Sequence, residues 1–191
     1  MGYCAASDIQ TALDIQGYEN TAWLDSLAAS ACAWIDAYCG LPTGGFAVGA
    51  DSARSFDVRS LRGNALLLDV PLLAVTTLAN ADGNTIPAAG YRLYPLNEPR
   101  HWRIELRGGY AWAIAEDGLY AVTGRWGWSA TAPAPVREAA TMLAGWMFKR
   151  YQAALQDNAA APELGQIVYG EAVPKQVVAL LAPFRNGVAL L

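Results

Sequence analysis

The sequence predicts an α+β fold: a helical bundle base of two N-terminal and two C-terminal helices, carrying an inserted antiparallel β region. Three observations predict it. Apolar residues recur every three or four positions up to about residue 40. From there to about 132 they fall in short or alternating runs separated by Gly, Pro, Asn and Asp clusters. Helical spacing returns after Pro133 and Pro135, and this order of segments sets a sheet into a helical frame.

Ser7 is placed to cap a first helix running to about Gln16, with Gly17 ending it. Leu24, Leu27, Ala28, Ala31, Ile35 and Tyr38 form the stripe of a second helix from about Thr21 to Cys39, stopped by Gly40 and Pro42. Trp23 and Trp34 lie off that stripe, so this helix buries more than one face. Strands are predicted at 54–59, 65–70, 73–79, 91–96, 102–107 and 119–126, with Asp82-Gly83 as the clearest hairpin turn. Asn80, Asp82 and Asn84 alternate like calcium ligands, but the glycine is out of place and Tyr91 stands where the closing carboxylate belongs. Pro135 opens a long helix whose stripe is Val136, Ala140, Leu143, Met147, Tyr151 and Ala154, with Lys149 and Arg150 near its end. Residues 157–172 read as a long loop, and a last helix runs from about Pro174 to Ala182. The expected divisions are N-terminal helices at 1–40, a β-rich insert at 41–132, a long helix at 133–156 packing on the N-terminal helices, and a loop, short helix and tail at 157–191.

The 191 residues are 54% hydrophobic and 16% charged, so the chain is far too apolar for disorder. With 13 basic and 17 acidic side chains it is net negative, and no overall positive field draws it to nucleic acid or anionic lipid. No apolar stretch reaches the roughly 20 residues of a spanning helix, and residues 1–20 show no secretion signal. No membrane partner is expected; the expected compartment is the cytosol or a particle assembled there. The seven tryptophans leave an apolar surplus to be explained.

Catalytic motifs are missing: the chain has no GxSxG, P-loop, GxGxxG or HExxH. Cys4, Cys32 and Cys39 form no CxxC pair, and the single histidine, His101, offers no zinc-ligand spacing. No catalytic, cofactor-binding or metal residue is assigned. Glu98, Glu105, Glu116 and Asp117 near several tryptophans keep one alternative open, a carbohydrate-binding module or sugar-acting protein. Trp102, Trp112, Trp126 and Trp128 read better as packing or interface anchors. Charge is divided along the chain: residues 1–53 hold six acids and no Lys or Arg, whereas Arg54, Arg59, Arg62, Arg92, Arg100, Arg103 and Arg107 cluster in the β region. Such a division suits subunits that pair with each other or with differently charged partners.

Four stretches resemble the head-tail connector, or adaptor, family of long-tailed bacteriophages and gene transfer agents. They are Ala33-Trp34-Ile35-Asp36-Ala37-Tyr38-Cys39-Gly40, the apolar run 66–78 with Asp82-Gly83-Asn84 and Tyr91-Arg92-Leu93, the segment from Val122-Thr123-Gly124-Arg125-Trp126-Gly127-Trp128 to Arg150, and Val173 to Arg185. The resemblance implies a non-enzymatic virion protein at the head-tail interface, assembled in the host cytoplasm. It implies a homo-oligomeric ring, usually a dodecamer, between the portal protein and a tail-proximal protein such as a stopper or tail terminator, with DNA passing through the channel unread. On that footing Asp25 and Asp36 are expected to face the channel or a neighbouring subunit. Loop 157–172 and the last helix, through Val173, Lys175, Leu180, Leu181, Phe184 and Arg185, are expected to reach the portal. Another virion protein, such as a tail terminator or minor capsid protein, is the remaining alternative.

Overall fold

The computed structural model describes residues 2–15, 20–114, 118–156 and 173–185. It contains four helices and a six-stranded antiparallel sheet, the α+β class expected from the sequence. Two compact units divide the described chain, residues 2–44 with 132–185 and residues 45–131.

The first unit is helical: α1 (Ala6–Leu13), α2 (Thr21–Cys39), α3 (Ala134–Gln156) and α4 (Lys175–Leu181). α3 touches the other three. Ile9, Leu24, Ala31, Ile35, Val136, Ala140, Leu143, Val177 and Leu181 are all fully buried, so each helix gives the core its apolar stripe. Ser7 does not cap α1. The cap is Ala5, whose N–H donates to Oδ2 of Asp8 at 2.8 Å, so a carboxylate in the first turn does the work expected of the serine. α1 ends early, at Asp14 with φ of 52°, a left-handed conformation that Asp tolerates; Gln16 and Gly17 lie outside the described residues. In α2, Asn20 Oδ1 accepts from the Trp23 N–H, and Gly40, at φ 71°, returns its N–H to the last turn. Trp23 packs on Phe148 and Tyr151, at ring separations of 5.3 and 4.8 Å.

The second unit carries the sheet, in the order β1 (Ser52–Phe56), β6 (Tyr120–Trp126), β3 (Ala65–Ala79), β5 (His101–Leu106) and β4 (Tyr91–Tyr94), with β2 (Leu61–Arg62) also on β3. The two strands expected at 65–70 and 73–79 are one strand of 15 residues. Pro71 does not break it, because the proline falls where the register shifts and β3 exchanges its partner β5 for β6 around Leu72. The strand expected at 54–59 ends at Phe56; Asp57 then accepts from the Arg59 N–H and caps a 3₁₀ turn, Val58–Ser60. Asp82-Gly83 is a turn, but of a different kind. Only Gly83 has positive φ, 81°, and its N–H donates to Asn80 O at 2.9 Å. Beyond the brief Ala79–Thr85 bridge, β4 pairs with β5 rather than with β3. Leu66, Leu72, Leu78, Ile104, Tyr120 and Val122 form the core of this unit. Gly124 is required where β6 crosses β3, since a Cβ there would strike the Ala74 carbonyl.

Candidate functional site

Asp36 is 3% exposed inside the helical unit. Its carboxylate accepts from the Tyr3 hydroxyl at 2.6 Å and from the Gly44 N–H at 2.8 Å, tying both ends of segment 3–44 to α2. Burial raises its pKa, while those two hydrogen bonds pull it back down. The expectation that Asp36 faces a channel or a neighbour is therefore corrected: its oxygens are occupied within its own subunit. Asp25 is exposed, with Oδ1 accepting from the Ala6 N–H at 3.1 Å.

The aromatic candidates divide. Trp126 is buried, its indole N–H donating to Ser52 O at 2.9 Å and its ring lying 5.9 Å from Phe56, so it is a core residue and not an interface anchor. Trp112 is half-buried, edge-on to Tyr120, and bonded to Asn64 O. Trp128 is half-buried between Phe46 and the Arg100 guanidinium, 4.0 Å above its ring. Trp102 is half-buried on β5.

In the C-terminal segment, Leu181 is fully buried among the helices, which removes it from any docking surface. Lys175 and Arg185 are exposed, Val173, Leu180 and Phe184 half-buried, and Arg185 lies 5.1 Å over the Tyr38 ring. Loop 157–172 lies outside the described residues.

Of the acids that kept a sugar-acting alternative open, both described ones are paired with arginines. Glu98 lies 3.8 Å from Arg100 and Glu105 lies 3.1 Å from Arg103, while Glu116 and Asp117 are outside the described residues. His101 Nδ1 is 3.0 Å from Pro95 O. Among the described residues no three His, Cys, Asp or Glu side chains gather as metal ligands. An open cleft of about 510 Å³ is lined by Arg54, Phe56, Asp57, Asp69 and Leu119. Two of its charges are paired with each other, because Arg54 donates to both oxygens of Asp69 and lies over Trp126.

What the sequence did not reveal is how the arginines of the β region are placed. Strand register aligns Arg62, Ala65, Glu105 and Arg92 across β2, β3, β5 and β4, and Leu67, Arg103 and Tyr94 in the next row. Residues in register project from the same face. Arg62, Arg92, Arg103 and Arg107 are all exposed there or just beyond it, with Glu105 as the intervening acid. The alternation of β4 and β5 was the available signal; the pairing between them was not.

The class defined by this geometry is a helical unit whose chain is interrupted by an antiparallel sheet. No protein-family model and no curated protein matches the chain. Solved structures of gene transfer agent (GTA) particles contain chains with the same fold. One, from the neck of an empty GTA particle computed with C6 symmetry, has a TM-score of 0.64 at 22% identity, over 97% of this chain and 90% of that one. Another, from the virion of a native GTA particle, has 0.62 at 21% over 97% and 90%. A third, from the neck of a native GTA particle computed with C12 symmetry, has 0.60 at 20% over 97% and 92%.

Proposed function

We propose that the protein is a structural subunit of the neck of a phage-like particle: a head-tail connector, or adaptor, forming a ring between the portal and the tail-proximal protein. The observation that carries this reading is the fold shared along nearly the whole chain with chains from neck and virion structures, helices and inserted sheet together. The C12 symmetry of one of those necks supports a ring of twelve. The role is non-enzymatic, and DNA passes through the ring without being read. Net negative charge fits that passage, since a channel lined with Lys and Arg would hold the phosphate backbone. In this reading exposed Asp25 stays available to a channel or a neighbour, and the exposed end of α4 with Lys175 and Arg185 to the portal.

The test is electron microscopy of the purified protein mixed with its candidate portal protein. The expected result is a ring at the narrow end of the portal. A stable monomer that ignores the portal and binds glycans would replace this reading with the carbohydrate-binding one.

A further inference from the structure

The row Arg62–Ala65–Glu105–Arg92 and its neighbours Arg103 and Arg107 make one end of the sheet strongly basic. Arg103 is committed: it pairs with Glu105 at 3.1 Å and lies 4.7 Å over the Tyr94 ring. Arg62 donates to the carbonyls of Arg59 and Leu61, and Arg107 Nε to that of Ala89. Those bonds fix where the guanidinium groups point but leave their charge uncompensated. Among the described ion pairs neither these two nor Arg92 meets a carboxylate. Ala65, the small residue between Arg62 and Glu105, leaves room above the sheet for an incoming group. Arginines held in this way present fork-shaped donors suited to carboxylates.

The complementary charge is in the same chain. Residues 1–44 contain no Lys or Arg, and of their acids Asp8, Asp14 and Asp25 are exposed whereas Asp36 is buried. Asp8 and Asp25 meet at the start of α1, each accepting one N–H, from Ala5 and Ala6, and both are exposed. A subunit with one acidic and one basic surface satisfies both when copies join head to tail, the arrangement that closes a ring.

We infer that the arginine face of β2, β3, β5 and β4 docks the acidic start of α1 and α2, around Asp8 and Asp25, of a second copy of this chain. The inference rests on the ring reading and gives the lateral contact its chemistry.

Sedimentation velocity over a concentration series, at low and high salt, tests it with three variants: Arg62→Glu/Arg92→Glu, Asp8→Lys/Asp25→Lys and Asp8→Asn/Asp25→Asn. The asparagines keep acceptors for the α1 N–H groups and remove only the charge. The wild type is expected to self-associate and to weaken with salt, as a contact between exposed charges does. Each variant alone should associate about tenfold or more weaklier than wild type. Mixing the Glu and Lys variants should restore association, because each supplies the surface the other has lost. The inference is overturned by a wild type that stays monomeric at every concentration, by an arginine variant that associates like wild type, or by a mixture that gains nothing. Salt-sensitive binding of duplex DNA that disappears in the arginine variant would also overturn it, assigning the face to phosphate. Portal binding is scored separately. Normal rings on the portal with the arginine variant would sink the interface and spare the connector reading, and charge-swap rescue without any portal binding would do the reverse.

Discussion

Removing the Tyr3 hydroxyl, by Tyr3→Phe, tests the buried latch around Asp36. The change leaves ring packing intact and deletes one of the two hydrogen bonds that satisfy a carboxylate 3% exposed. A hydrogen bond to a charged group contributes about 1.5–3 kcal/mol, so a loss of about 2 kcal/mol is expected at neutral pH. The pH dependence follows from linkage. The folded-state pKa of Asp36 is raised above its ordinary value of 3.8, chiefly by burial, so the folded state holds the proton more tightly than the unfolded one. Above the folded pKa the buried carboxylate costs stability, and that cost is relieved as pH falls through the folded pKa toward 3.8. The Tyr3 bond lowers the pKa, so Tyr3→Phe raises it further and its deficit is greatest above both values. Once Asp36 is protonated the lost bond is a neutral one, and the deficit should shrink to about 1 kcal/mol. Urea unfolding followed by the helical circular-dichroism signal, at neutral and mildly acidic pH, measures this. A deficit below about 0.5 kcal/mol at neutral pH, or one that does not change with pH, would refute the latch.

Three further outcomes are expected. Leu181→Ala, at a fully buried site, should cost about 2–5 kcal/mol in the same unfolding assay, and truncation before residue 173 should destabilise the helical unit by uncovering the seat of Val177 and Leu181. Gly124→Ala should open the β3–β6 pairing, visible as faster amide exchange along both strands while helix exchange is unchanged, because the new Cβ meets backbone rather than a movable side chain. Cys4 and Cys39, their pKa values pushed up by burial from 9.0 to about 11, should be alkylated about 100-fold more slowly at pH 8 than a thiol at 9.0, until denaturant removes the difference.

The parts of this fold legible in the sequence are those set by local rules. The α2 stripe and its Gly40 stop, the long helix after Pro135 and the alternation of β5 and β6 follow from periodicity and capping, and the structure places elements at those positions. The misses are places where a distant partner decides. Pro71 reads as a break, yet the register shift between two partner strands accommodates it. Ser7 reads as a cap, yet it is Asp8 that reaches back three residues to the Ala5 N–H. Asp36 reads as a surface acid on a helix; nothing local shows that Tyr3, 33 residues away, will close over it. Likewise the arginines of the β region are visible as a cluster, but their gathering onto one face depends on pairings that join residues 62 and 65 to 105 and 92.

Those pairings also relocate the surface that explains the composition. The apolar surplus pointed first to tryptophans held between subunits. Trp126 is buried in its own chain, and the other six are half-buried, most of them against rings or guanidinium groups of the same unit: Trp23 on Phe148, Trp34 on Tyr38, Trp112 on Tyr120, Trp128 on Phe46 and Trp146 under Arg150. Half-covered rings of this kind set the shape of a surface more than they drive association, since much of their apolar area is already removed from water within the subunit. Among the described residues the large apolar side chains that do stand out, Val58, Leu96, Tyr110, Ile114, Leu119 and Tyr151, are spread over several elements rather than along one stripe. In the proposed ring, exposed apolar side chains this scattered leave orientation between copies to electrostatics. If copies join through the arginine face as proposed, ring assembly should respond to salt more steeply than a hydrophobic interface of the same area would.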